Sequence, residues 1–310
     1  MPKAYVFTRY GGPETEALVD LDQPRPGPGE VLVAVRAAGV NPVDWKQRTG
    51  YRRPGESGER VFPAVLGNEV AGVVEATGEG VTGFAPGDEV FGTAVAGGYA
   101  EYALLAAGIT AHKPAGLSFT DAATLPVAAA TAYDGVLQLA LPAGATLLVT
   151  GAGGGVGVAV VQIARARGLR VLGVASEGKK DLLESLGAAH VPSGPGWTDG
   201  VRSAAPDGVD GVYDLVGGAV LREAAGLVRD RARLITAGAP AEEAEELGGA
   251  RVLRARDAAV LRAVADLAVR GDLDPHVTLR FPLERAGEAL REVESGHARG
   301  KVVLEIGAGA

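Results

Sequence analysis

Hydrophobic and polar positions change rhythm twice along the chain. Near the start, apolar residues come in short valine-rich runs: "KAYVFTR" (3–9), "GEVLVAVRAAGV" (29–40), "NEVAGVVEATG" (68–78) and "GDEVFG" (87–92). Clusters such as "QPRPGPG" (23–29) and "FAPGD" (84–88) punctuate them. That pattern predicts a β-rich, barrel-like unit. From about residue 119 buried strands alternate with helical spacing. "LLVTG" (147–151), "LRVLGVA" (169–175), "VDGVYDLVGG" (209–218) and "ARLITAG" (232–238) read as strands. Helices are predicted over 156–167, 179–187 and 219–229. Such alternation predicts a parallel sheet with crossover helices. After about residue 274 the β character returns in "HVTLRFPL" (276–283) and "GKVVLEI" (300–306), around an amphipathic helix over 284–296. The expected fold is α/β: one unit from 1–118 with 274–310, and a doubly wound unit from 119–273.

The stretch "TGAGGGVGVAVVQIARARG" (150–168) follows a predicted strand and opens a helix. Gly151, Gly154 and Gly157 are spaced three apart, which lets backbone turn tightly, approach a pyrophosphate and pack helix on sheet. Val156, just after Gly155, begins the helix, whose free N–H groups and partial positive charge are expected to face the phosphate. A site preferring NAD places an acid at the end of the second strand to hold the ribose 2′-hydroxyl. Here that end reads "VLGVASEGKK": Ala175 replaces the acid, with Ser176 beside it and Lys179 and Lys180 following. An ammonium near a 2′-phosphate adds roughly 1–4 kcal/mol of attraction, depending on screening. The expected cofactor is NADPH. Val216 and Gly217, with Ala237 and Gly238, fall at C-terminal strand ends, where open α/β sheets bind ligands.

Composition narrows the chemistry. The 310 residues carry a net charge of −8, which argues against a nucleic-acid backbone as partner. Hydrophobic residues make up 47%, enough for a sizeable core. There is no cysteine, so disulfides and thiolate metal sites are excluded. The start lacks an apolar signal core, and the longest apolar region (122–164) is broken by Asp134, Gln138, Pro142 and many glycines. A cytoplasmic protein is expected.

Several stretches in order resemble the medium-chain dehydrogenase/reductase superfamily, in its zinc-independent quinone oxidoreductase-like (zeta-crystallin) branch. They are "AAGVNPVDWKQRTG" (37–50), "FPAVLGNEVAGVV" (62–74), "FAPGDEVFG" (84–92), "GGYAEYALL" (97–105), "LPVAAATAYDGV" (125–136), the glycine turn, "LGAAHV" (186–191), "VDGVYDLVGG" and the final "GKVVL" (300–304). The resemblance implies a GroES-like catalytic unit at both chain ends, a Rossmann unit between them, an active site in the cleft, and a homodimer. Zinc-dependent relatives bind their metal through two cysteines and a histidine. The matching positions here hold Asn41, Asn68 and Val127, a set that cannot hold Zn²⁺. His112, His190, His276 and His297 are scattered without ligand spacing. No metal is expected.

Without a Lewis acid, an acceptor that delocalises incoming charge is favoured. NADPH-dependent reduction of a quinone or similar conjugated carbonyl is therefore expected. The alternatives are enoyl or alkenal reduction, and an NADPH-binding protein without turnover. Asn41 and Asn68 either donate to the substrate oxygen or satisfy their neighbours. Lys46 stands where alcohol-oxidising relatives keep a proton-relay histidine; it either supplies a proton or is a solvated lysine. Tyr51 either lines the quinone pocket, with its hydroxyl as proton donor, or is a rim aromatic. The resemblance places Thr131 at the nicotinamide end. Loops 51–61 and 240–257 are expected to shape the pocket, and the resemblance implies that the second, as an edge strand and loop, also aids dimerisation.

Overall fold

The computed structural model describes residues 1–52, 59–296 and 298–307. In chain order the first elements are β1 (Lys3–Phe7), β2 (Glu16–Asp20), β3 (Glu30–Val40), α1 (Pro42–Arg48) and β4 (Ala64–Val65). Next come β5 (Glu69–Thr77), β6 (Glu89–Ala94), β7 (Tyr102–His112) and α2 (Phe119–Ala122). Then follow α3 (Ala130–Leu139), β8 (Thr146–Thr150), α4 (Gly155–Ala166), β9 (Arg170–Ala175), α5 (Lys180–Ser185) and β10 (Ala189–Pro192). The chain continues through α6 (Trp197–Ala204), β11 (Gly211–Asp214), α7 (Gly218–Ala225), β12 (Leu234–Thr236), α8 (Ala241–Glu246) and β13 (Ala250–Arg251). It closes with α9 (Ala258–Val269), β14 (Val277–Pro282), α10 (Ala286–Glu294) and β15 (Lys301–Glu305).

These elements form two compact units, the first of Met1–Val127, Arg256–Val269 and Val277–Ala310, the second of Ala128–Ala255 and Arg270–His276. The sequence rhythm divides at 118/119; the structural division falls later and assigns α9 to the first unit. There α9 packs on β7, with Val260, Leu261, Val264 and Ala265 buried.

In the first unit a sheet runs β14-β15-β3-β5-β6-β7, and β3 also pairs with β7, so four strands close on themselves. Strand β3 is buried on both faces almost throughout, which explains its near-continuous apolar run. The C-terminal strand β15 pairs antiparallel with β3, Val302 opposite Val40. Val31, Val33, Val70, Val90, Leu105, Val302 and Leu304 belong to its core. Strand β7 escapes periodicity because its alanines and glycine carry weak strand preference.

In the second unit all pairings are parallel, in the order β10-β9-β8-β11-β12-β13. From β8 the chain winds one way through β9 and β10, then crosses back to β11. The C-terminal ends of β8 and β11 therefore flank the switch point, where doubly wound sheets bind ligands. Among the described residues no helix is long and apolar enough to cross a membrane.

Candidate active site

The glycine turn lies at this switch point. It leaves β8 through Gly151 at φ 67° and enters α4 through the N-cap Gly154. The Ala152 N–H donates to Val174 O at 3.1 Å, docking the turn on the end of β9. Gly154, Gly155, Val156 and Gly157 thus stand at a helix start with no side-chain cap. Ser176 and Lys180 are exposed just past β9, and Glu177 faces solvent. Lys179 lies against the turn itself: a methyl group built on Gly153 would stand 2.2 Å from Lys179 Cδ.

Asp214 shapes the neighbouring strand ends. Its Oδ1 accepts from Thr150 Oγ1 at 2.6 Å and from Val216 N at 3.2 Å; its Oδ2 accepts from Thr236 Oγ1 at 2.6 Å and Gly217 N at 3.0 Å. Thr236 Oγ1 in turn accepts from Gly238 N at 3.0 Å. One buried carboxylate therefore ties β8, β11 and β12 together and orders the loops of Val216, Gly217, Ala237 and Gly238. It also explains why β11 ends at Asp214, short of the predicted 218: the following N–H groups turn back onto its side chain. Thr131, at the start of α3, is held from both sides. Tyr213 donates from its hydroxyl to Thr131 O at 2.7 Å, and Arg254 Nη1 to Thr131 Oγ1 at 2.6 Å. Arg254 also donates from Nε to Asp134 Oδ2 at 2.9 Å. Nothing local in the sequence marks Arg254 as Thr131's partner.

In the first unit, positions 41 and 127 meet at Glu69, a fully buried carboxylate, while the preceding Asn68 turns to Asp44 and Gln47. Glu69 Oε1 accepts from Asn41 Nδ2 at 2.7 Å and Lys301 Nζ at 2.8 Å; Oε2 accepts from the backbone N–H of Val127 at 2.7 Å. A side chain at position 39 is forbidden here, since a Cβ on Gly39 would lie 2.2 Å from Glu69 Oε1. Asn41 is 3% and Asn68 4% exposed. Asn68 Nδ2 donates to Asp44 Oδ1 and, at 3.3 Å, to Gln47 Oε1, so its two amide protons are both committed inside the unit. Of the two amides, Asn41 is therefore the one with an N–H beyond its carboxylate bond among the described residues.

Asp44 completes the network and starts α1. Its Oδ2 accepts from Asn41 N at 2.8 Å, capping the helix entry, and from the Tyr99 hydroxyl at 2.7 Å. Burial pushes the Asp44 carboxyl from its ordinary 3.8 up to about 6, against the pull of Tyr99, the Asn41 N–H and Asn68, and with nearby Glu69 adding to the rise. A carboxyl raised on folding stabilises the native state while protonated and loses that contribution as pH climbs from about 4 to 6. Asp44→Asn is expected to flatten this decline, up to about 1.4 kcal/mol per pH unit. Urea midpoints at pH 4.5 and 7.5 check it; an unchanged slope in the variant rejects the assignment.

The far end of α1 carries the exposed candidates. Lys46 is exposed, its ammonium 5.7 Å from the centre of the Trp45 ring. Tyr51 is 38% exposed and turns back over the helix, its N–H donating to Lys46 O at 2.9 Å. Trp45 packs on the barrel core. Residues 53–58 of the expected pocket loop and His297 lie outside the described residues. Within 240–257 the chain forms α8 and the edge strand β13, followed by Leu253 at 73% exposure.

Zinc chemistry does not suit this donor set. Two amides and an aliphatic side chain occupy the ligand positions, and the adjacent carboxylate already holds a lysine ammonium. Among the described residues no group of three His, Cys, Asp or Glu side chains is placed to hold a metal ion.

Two family models match in order: "Alcohol dehydrogenase GroES-like domain" over 27–115 and "Zinc-binding dehydrogenase" over 186–304. The quinone oxidoreductase of Rattus norvegicus is 34% identical, covering 95% of both chains. The chloroplastic NADPH-dependent alkenal/one oxidoreductase of Arabidopsis thaliana is 31% identical over 97% of this chain and 79% of its own. The solved structure of the quinone oxidoreductase from Coxiella burnetii superposes with a TM-score of 0.90 at 29% identity, covering 99% of each chain. A likeness of this extent, running from the first strand to the last, makes the chain a member of the medium-chain dehydrogenase/reductase superfamily, in its quinone oxidoreductase branch.

Proposed function

We propose that the chain is an NADPH-dependent oxidoreductase that passes a hydride to a quinone or similar conjugated carbonyl without a metal ion. The observation that carries this reading is the hydrogen-bonded network at positions 41, 68 and 127: amides, a carboxylate and the ammonium paired with it stand where a Lewis acid would be needed. An acceptor reduced there has to spread negative charge over its own conjugated framework.

The second unit binds the nucleotide. Its pyrophosphate lies at the start of α4 against Gly151, Gly154, Gly155, Val156 and Gly157. Ser176, Lys179 and Lys180 take the 2′-phosphate, for which the absence of an acid at Ala175 and the position of Lys179 against the turn both speak. NADPH, when bound, supplies the hydride. Thr131, Val216, Gly217, Ala237 and Gly238 hold its nicotinamide end. In the first unit Asn41 offers an N–H to the substrate oxygen, while Lys46 or Tyr51 delivers the proton that accompanies the hydride. Overall, NADPH, quinone and one proton give NADP⁺ and hydroquinone.

The name of the Arabidopsis relative supports a second reading, reduction of an alkenal or enone, in which the proton goes to the α-carbon. One screen tests both: absorbance of NADPH or NADH followed against quinones, enones and simple alcohols or aldehydes, with and without chelator. The expected result is chelator-resistant quinone turnover with at least tenfold preference for NADPH. Enone turnover that Tyr51→Phe abolishes while quinone turnover persists selects the second reading. Tight NADPH binding with no turnover anywhere leaves only a binding role. The exposed Leu253 beside the edge strand β13 supports a homodimer, and the same samples are expected to sediment as one.

A further inference from the structure

We infer that Lys301 is a positioning residue for the reaction: it dictates which end of the Asn41 amide is left to donate to the substrate. The inference rests on the proposed function and extends it to a residue in the last strand, 260 positions from Asn41.

Lys301 Nζ is buried, with its side chain 4% exposed. It donates to Asn41 Oδ1 at 2.6 Å, to Glu69 Oε1 at 2.8 Å and to Val40 O at 3.3 Å, so three protons meet three acceptors. Antiparallel pairing of β15 with β3 delivers it there, because Val302 opposite Val40 sets Lys301 beside the start of α1.

The Asn41 amide is thereby clamped between opposite charges. The ammonium faces its oxygen and the Glu69 carboxylate faces its nitrogen. A half-turn of the amide would press NH₂ against NH₃⁺ and oxygen against carboxylate, both repulsive in a buried setting of low dielectric. An asparagine free to flip presents donor or acceptor indifferently; this one presents a donor. Glu69 engages one Nδ2 proton, leaving the other for substrate. The ammonium on Oδ1 also draws electron density through the amide, which strengthens that N–H as a donor to an oxygen gaining charge. Asp44 and Tyr99, whose electrostatics couple to Glu69, are the other titratable groups close to this cluster.

A neutral replacement separates positioning from mere charge pairing. Lys301→Met leaves Glu69 as an orphan buried charge and is expected to lose both stability and activity. Glu69→Gln/Lys301→Met removes both charges and is expected to recover most of the thermal midpoint. Its kcat is expected to stay at least about tenfold below wild type, with acceptor KM and NADPH Kd within about threefold, as for a contact made in the transition state. Lys301→Arg, which keeps the cation in a bulkier, planar form, is expected to retain several-fold more kcat than the double variant. Should Lys301→Met fail to fold, the double variant and Lys301→Arg carry the test. A double variant that regains kcat together with its midpoint overturns the inference while leaving the function intact. A wild type that turns over no quinone or enone overturns the function, and this inference falls with it.

Discussion

Arg48→Met is expected to cost about 3–5 kcal/mol of folding stability, the usual loss when one member of a buried ion cluster is removed. Arg48 closes α1 at its C-terminal end and is 1% exposed. Its Nη1 donates to Glu16 Oε1, its Nη2 to Glu294 Oε1 at 2.9 Å and Oε2 at 3.1 Å, and its Nε to Gly11 O at 3.3 Å. One guanidinium thus joins β2, α1, α10 and the loop after β1. Glu16 is as buried as its partner and also accepts from the Tyr5 hydroxyl at 2.9 Å, so burial and the carboxylate together push that phenol far above its ordinary range. Deleting the cation leaves one carboxylate fully buried and a second half-buried, facing each other. Lys retains the charge but not the planar fork, so Arg48→Lys is expected to lose an intermediate amount. Urea denaturation measures both variants; Arg48→Met within about 1 kcal/mol of wild type, the range of surface pairs, would show the cluster contributes little. Because α1 presents Asn41 and Asp44 at its other end, activity is expected to fall along with stability.

The second large effect concerns the nucleotide. A Cβ at position 157 would stand 2.4 Å from Gly151 O and 2.6 Å from the Ala152 backbone. These atoms belong to the turn itself, so no side-chain rotation relieves the overlap. Gly157→Val has to lift α4 off the turn, which moves the N–H groups away from the site proposed for the phosphate. NADPH affinity is expected to fall at least tenfold, and stability by about 1–3 kcal/mol, as in other overpacked sites. Gly154→Ala is the control for fold, since its Cβ would meet only Gly151 O, at an ordinary 3.6 Å. Titration of NADPH fluorescence reads the affinity, thermal melting the fold. Wild-type affinity in Gly157→Val would mean that the cofactor does not use this turn.

The glycine turn, its strand and its helix were legible because each depends on a few neighbouring residues: three glycines at fixed spacing, a buried run before them, a small-residue helix after. The same holds for the alternation that predicts the parallel sheet. The side-chain types at positions 41, 68 and 127 were also legible; their partners depend on placement. Strands β2, β7 and β10 and helices α6, α8 and α9 are not among the elements the sequence pattern predicts, and they show themselves through the partners they pair with or pack on. Nothing in "DLVGG" by itself shows that Asp214 orders the loops after β11 and β12 at once; that depends on Thr150 and Thr236 from adjacent strands.

What the amino-acid order determined unaided is local: which segments extend, which coil, and where the backbone turns tightly enough to approach a ligand. What the tertiary structure decided is which charges share a burial site. Lys301 reaches Glu69 across 232 positions, and Arg48 reaches Glu294 across 246. Neither cation differs locally from a solvated one. A charge leaves water only where a distant partner compensates it, and that pairing exists only once β15 lies beside β3 and α10 beside α1.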